Sequence, residues 1–180
     1  MGAEYLDVFP AWLRSLGDDA ERIGQLLASK ALPEPARQAL AGGVNYLFKS
    51  LDLIPDGTDD IGYLDDAFVL RIAAEQAMHE DVSALSVEQL RSLNRLGEDA
   101  GAIQEFLGAD YGRLQAYVSG LRKGSARGRS VNDILHNADV QAAFLSDLRG
   151  FARAYQAPSF SREEKNLVKL RAFFDAKLPK

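Results

Sequence analysis

Apolar side chains recur every three to four residues along almost the whole chain, and no segment alternates with a period of two for long enough to make a convincing strand. That spacing excludes a sheet as the organising layer. The expected fold class is all-α, a multi-helix bundle of about seven to nine helices. A chain of 180 residues can bury roughly 70% of its unfolded surface. One all-α domain over residues 1–180 is therefore expected, with sub-units 1–84 and 85–180 meeting near residues 81–86.

Helix signals place the elements. Helices are predicted over Tyr5–Leu16, with Pro10 opening or kinking it, and from an Asp18 or Asp19 cap to about Lys30. A third, Pro35–Lys49, contains Gly42-Gly43, a pair poor in helix propensity that points to close backbone approach by a neighbour. A fourth runs from Tyr63–Asp66 to about Glu80, with Phe68, Val69, Ile72, Ala73 and Ala77 inward. Ser86 and Gln89 form a capping box for Val87–Leu107, where Gly97 and Gly101 permit a break, and Asp110 is expected to cap a helix to Leu121. Arg122–Ser130 reads as a flexible loop. Beyond it, Ser130 with Asp133, Asp139, and a Ser161/Glu164 capping box open the last three helices, the final one ending near Leu178.

Composition removes several kinds of chemistry. With no cysteine and only His79 and His136, the chain has no disulfide, thiol nucleophile, cysteine zinc site or multi-histidine metal site. Residues 1–90 carry 6 Lys/Arg against 16 Asp/Glu, whereas residues 91–180 carry 15 against 10. Attraction between the halves inside the fold is the expected use of that asymmetry. No uncharged 18-residue run is present, so no transmembrane segment is expected, and the first residues lack the pattern of a secretory signal. The expected location is the cytoplasm. Arg122, Lys123, Arg127 and Arg129 form a basic cluster without interleaved aromatics, so no nucleic acid is expected as a partner.

One segment is chemically unusual. Asp52, Asp56, Asp59, Asp60, Asp65 and Asp66 fall within 15 residues with no Lys or Arg among them. Two carboxylates about 6 Å apart repel by roughly 3 kcal/mol at an effective dielectric near 20. Solvent, helix N-termini, arginines from the basic half or a cation must offset this. Asp65 and Asp66 stand where a helix N-terminus favours negative charge. Asp52 and Asp56 flank Leu53-Ile54-Pro55 in a turn, and Thr58-Asp59-Asp60 reads as a solvated tip. The cation alternative takes Asp52, Asp56, Asp65 and Asp66 as oxygen ligands for Mg²⁺ or Ca²⁺. It does not follow the EF-hand pattern, because Ile61 and Ala67 stand where that loop needs Gly and Glu.

The run Tyr46-Leu47-Phe48-Lys49-Ser50-Leu51-Asp52-Leu53-Ile54-Pro55-Asp56, followed by Gly62-Tyr63-Leu64-Asp65-Asp66, resembles the signature of the YkvA-like family (domain of unknown function 1232). The likeness covers residues 37–76. It implies a helical hairpin joined by a loop in which Asp52, Leu53, Ile54, Pro55, Asp56, Gly62, Leu64, Asp65 and Asp66 belong to the pattern, and it implies no reaction. Ser50 stands where the family usually has Pro, and Gly57-Thr58-Asp59-Asp60 replaces a usually apolar loop. Members are often membrane-associated; the polar loop here weakens that inference.

Three functions are set against one another. The leading expectation is a non-catalytic helical adaptor that binds another protein, still unidentified, and needs no cofactor. The second is a divalent-metal-binding protein or metal-dependent phosphoester hydrolase built on the four aspartates. The third is peripheral membrane contact through the last helix, whose Leu167, Leu170, Phe174 and Leu178 share a face, with Lys165 and Lys169 on the polar side. Nothing in the sequence fixes the oligomeric state.

Overall fold

Pro10 does not divide the first helical segment. In the computed structural model, which describes residues 2–180, helix α1 runs unbroken over Tyr5–Ala28. The proline forfeits one bond to the Leu6 carbonyl. Burial of Phe9, Trp12, Leu13, Leu16 and Ile23 along the same helix outweighs that loss. Asp18 and Asp19 consequently lie mid-helix and cap nothing, and Asp19 is fully buried.

Helix α2 covers Glu34–Asn45 and tightens into a 3₁₀ turn at Tyr46–Phe48. Its glycine pair serves close approach, as its composition requires. A Cβ on Gly43 would lie 2.6 Å from the Cβ of Ala73, and one on Gly42 3.0 Å from the Leu121 backbone. Helix α3, Leu64–Met78, is buried nearly all round, including Asp65, Asp66 and Arg71, because α1, α2 and the next helix pack on its different sides. Helices α4 (Val87–Glu98) and α5 (Ala100–Leu107) replace one long helix with a break at Asp99, and the Ser86/Gln89 capping box forms as expected.

Helix α6, Tyr111–Gly120, is not capped by the Asp110 side chain, whose carboxylate instead takes Arg113 at 2.8 Å. The expected flexible loop is ordered. After a 3₁₀ turn at Leu121–Lys123, strands β1 (Ser125–Ala126) and β2 (Arg129–Ser130) form a small antiparallel hairpin. Arg127 and Gly128 turn it with positive φ of 51° and 75°. The Arg127 and Arg129 guanidiniums lie 5.0 and 5.5 Å from the Phe48 ring centre, which fixes the hairpin against α2.

Ser130 caps α7 (Val131–His136), and Asn137 rather than Asp139 caps α8 (Ala138–Ala154). Helix α9, Glu164–Lys177, lacks the expected capping box: Ser161 Oγ donates to Asp60 instead, at 2.6 Å. Leu167, Leu170, Phe174 and Leu178 are all buried, so the apolar face of α9 is occupied by the protein's own core. Phe174 stacks on Phe68 with ring centres 5.2 Å apart, and Phe9 and Phe106 complete the cluster. One continuous core thus extends from Tyr5 to Leu178 and unites the first helix with the last. Arg95 and Arg162 from the basic half pair with Asp19 and Asp7 of the acidic half.

Candidate functional site: a buried carboxyl cluster

Between the 3₁₀ turn and α3 the chain bends back on itself, held by apolar anchors and tight backbone bonds. Leu53, Ile54, Ile61 and Leu64 are buried. Thr58 N–H donates to the Pro55 carbonyl and Gly62 N–H to the Thr58 carbonyl, each at 2.9 Å. A Cβ on Gly62 would overlap the Asp56 carbonyl oxygen, so only glycine closes the bend. Tyr63 enters α3 with a positive φ of 67°.

Asp65 and Asp66 are in the first turn of α3, yet neither caps it. Asp65 turns toward the bend, where its Oδ2 accepts from the Tyr46 hydroxyl at 2.5 Å and from Ile54 N–H at 3.2 Å. The Tyr46 oxygen in turn accepts from Leu53 N–H at 2.7 Å. These three bonds tie the end of α2, the bend and the start of α3 into one ring. They satisfy two backbone amides that burial of Leu53 and Ile54 would otherwise strand.

The remaining carboxyls gather behind that ring. Asp66 follows Asp65 in the first turn of α3, and Asp52 is close enough to Asp65 and Asp56 to feel their charges. Asp56 also lies near the Tyr63 hydroxyl. Asp65 and Asp66 are 0% and 2% exposed, whereas Asp56 reaches the surface. Asp52 Oδ1, Asp65 Oδ1 and Asp66 Oδ2 are buried without a hydrogen-bond partner.

Burial sets the acidities. It raises Asp65 to about 6, against the opposing bonds from Tyr46 and Ile54. Burial, joined by the charges of Asp65, Asp56 and Asp52, holds Asp66 well above the usual carboxylate range. Asp52 is pushed up to about 7 by burial and then by Asp65 and Asp56, with Lys49 opposing. Burial also raises Asp56, while the neighbouring Asp52 and Tyr63 pull it down. The Tyr117 phenol of α6 is pushed up to about 12 by burial and the nearby Asp65 charge. Burial and the neighbouring acids raise Tyr46 and Tyr63 as well, while Tyr155, at the end of α8, is raised by burial and then by Tyr63. All four phenols stay neutral; Tyr46 donates to Asp65, whereas the Tyr155 hydroxyl donates to the Leu13 carbonyl at 2.6 Å.

The fold therefore brings together Asp52, Asp56, Asp65 and Asp66, and it sends Asp59 and Asp60 elsewhere. Asp60 is held to α9 by Ser161 and by Asn166 Nδ2 at 3.0 Å, which keeps its carboxyl below the usual range. An open cleft of about 740 Å³ is lined by Asp56, Asp59, Asp60, Lys165, Asn166 and Lys169, but Asp52, Asp65 and Asp66 do not reach it. A tightly held metal ion needs three or more converging ligands. No such group of His, Cys, Asp or Glu side chains occurs among the described residues.

Two sets of residues carry weight that the sequence reading did not give them. Tyr46 lies inside the quoted motif, and a tyrosine seven residues before a buried Leu-Ile pair is a usable signal. Tyr117 and Tyr155 arrive from distant helices and leave no local mark. The second set is an ion-pair network in the core. Buried Arg71 meets Asp19 at 3.3 Å and Asp99 at 3.0 Å, and its guanidinium lies 4.3 Å from the Trp12 ring centre. Arg71 is the lone charge in the run Ala67–Ala74, which marks it for a buried partner. His136 contacts Glu34 at the surface. No helix among the described residues is long and apolar enough to cross a membrane. Comparison with protein-family models, with curated proteins and with solved structures finds no match to the chain.

Proposed function

We propose that this protein is a non-catalytic helical interaction module, related in kind to the YkvA-like domains, in which the acid bend is a structural joint and not a reaction centre. The observation that carries this reading is the direction of the acids. Asp65 and Asp66 face the packing between bend and helices, and of the four motif carboxyls only Asp56 borders a solvent cleft. A phosphoester hydrolase needs its ligands or bases within hydrogen-bond reach of a substrate, and a substrate in that cleft meets one of them. The occupied face of α9 likewise supports partner binding over membrane contact. We place the protein in the cytoplasm as part of the same reading, which its lack of cysteine fits.

The surface offered to a partner includes Leu51 on the outside of the bend, which is 82% exposed beside a rigid anchor. Cross-linking of the full chain in extracts of its host cell, with wild type and Leu51→Asp compared, tests the reading. The expected result is a discrete protein adduct whose yield falls several-fold in the variant. Hydrolysis of p-nitrophenyl phosphate with Mg²⁺ or Ca²⁺ present, abolished by Asp56→Asn, would overturn it.

A further inference from the structure

Ion pairs join the acidic and basic halves, yet one group of cations takes no part in them. Asp19 holds Arg71 and Arg95, and Asp7 holds Arg162. Lys49, Arg122, Lys123 and Arg127 pair with no carboxylate among the described residues. Arg129 meets Asp147 of α8 at 2.7 Å, through Nη1 alone. Its Nε and Nη2, the edge that fits a carboxylate side-on, are buried without an acceptor. The positive charge around the β1–β2 hairpin is therefore not balanced inside the fold.

Aromatic rings hold these cations in place. Arg127 and Arg129 rest on Phe48, Arg129 also lies 5.2 Å from the Phe144 ring centre, and Lys49 Nζ lies 5.7 Å from that of Tyr117. Asn45 Nδ2 donates to the Arg129 carbonyl at 3.2 Å and ties the hairpin to α2. Arg127 and Lys123 are nonetheless exposed. A guanidinium already laid on a ring has little freedom left to lose when it meets a ligand. Leu51, 82% exposed, follows Phe48 by three residues, so the two Cα atoms are at most about 11 Å apart. Beyond Leu51 the sign reverses, because Asp56 and Asp59 are exposed. A lipid surface or a long polyanion laid over the hairpin would meet those acids as well, on a chain whose net charge is −5. A short acidic segment stays within the cationic strip.

We propose that the hairpin and Leu51 form the docking face for a short acidic segment of a partner protein. Its carboxylates lie across Arg127, Lys123 and Lys49, and an apolar side chain between them covers Leu51. Arg129, anchored by Asp147, is the fixed inner cation of this face. The inference rests on the interaction role and adds the chemistry of the partner to it.

Fluorescence anisotropy with the full chain tests the proposal. The probe is a short labelled peptide of repeating Glu-Glu-Leu, set against the same peptide with Lys in place of Glu, phosphatidylserine vesicles and a single-stranded DNA oligonucleotide. The acidic peptide is expected to bind and the Lys peptide is not. Arg127→Glu and Leu51→Asp are each expected to weaken the acidic peptide at least about tenfold. Arg91→Glu, the same change of charge at an exposed position on α4, is expected to alter it by less than about twofold. Lys123→Glu supplies the comparison should Arg127→Glu disturb the hairpin. No binding of the acidic peptide, equal weakening by Arg91→Glu, or tighter binding of the vesicles or the oligonucleotide would each overturn the proposal. In the cross-linking of cell extracts, an adduct lost in Leu51→Asp but kept in Arg127→Glu and Lys123→Glu would overturn the acidic partner and leave the interaction role intact.

Discussion

Replacing Asp65 by asparagine isolates the energetic consequence of burying a carboxyl in the bend. In the unfolded chain this group ionises near 3.8, and in the fold near 6. An acid whose folded pKa is raised binds its proton more tightly when folded. Its stabilising contribution is complete below about pH 4 and is lost as pH climbs through about 6. A shift of roughly two units corresponds to on the order of 3 kcal/mol, and because Asp65 is fully buried no discount for solvent screening applies. Roughly 2 kcal/mol of that loss falls between about pH 4 and about pH 7. Asparagine keeps an oxygen to accept from Tyr46 and Ile54 and does not titrate. The Tm of Asp65→Asn, measured against wild type by calorimetry, is therefore expected to gain roughly 4–8 °C across that interval. Using the difference between two chains cancels the opposite trend of acids held low, such as Asp7 and Asp60. Parallel curves would show that burial does not govern this carboxyl. A wild type that gains on the variant as pH rises would refute the reasoning outright.

Other outcomes follow from the same geometry. Tyr46→Phe strands Leu53 N–H and removes a donor from Asp65, and a loss of about 1–3 kcal/mol is expected in urea denaturation. Gly62→Ala places a Cβ on the Asp56 carbonyl and should lower Tm by several degrees, whereas Gly57→Ala, with open space around it, should change little. Arg71→Met leaves buried Asp19 with Arg95 as its one remaining cation beside the Ser15 hydroxyl, for an expected loss of about 3–5 kcal/mol, and Arg71→Lys should recover only part of it. Millimolar Mg²⁺ or Ca²⁺ is expected to leave Tm within about 1 °C, where a site filled at 100 times its dissociation constant would add about 2.7 kcal/mol.

The helices were legible in the sequence because apolar spacing and capping boxes are local signals. The Ser86/Gln89 box, the break near Gly97–Gly101 and the close approach at Gly42-Gly43 all follow from short-range chemistry. Local rules failed where a distant partner claimed the same side chain. Asp19 had cap chemistry but was drawn inside by Arg71, and Ser161 had cap chemistry but was drawn to Asp60. The hairpin at Ser125–Ser130 escaped notice because Phe48, far off in sequence, supplies the surface on which its arginines rest. For the bend, the acids and their apolar anchors were readable as a unit. Their inward direction was not, since Tyr117 of α6 and Tyr155 of α8, which pack on Tyr46 and Tyr63 around the bend, arrive from far along the chain.

The stacking of Phe174 on Phe68 sets an order of events during synthesis. Helix α3 leaves the ribosome about a hundred residues before the ring that stacks on it, so the face of Phe68 that receives Phe174 waits uncovered while α4 through α8 are made. Nascent chains commonly shield such a surface transiently or bind chaperones there. The closing move belongs to α9, and a translational pause ahead of residue 164 would lengthen the interval in which this chain is most prone to aggregate.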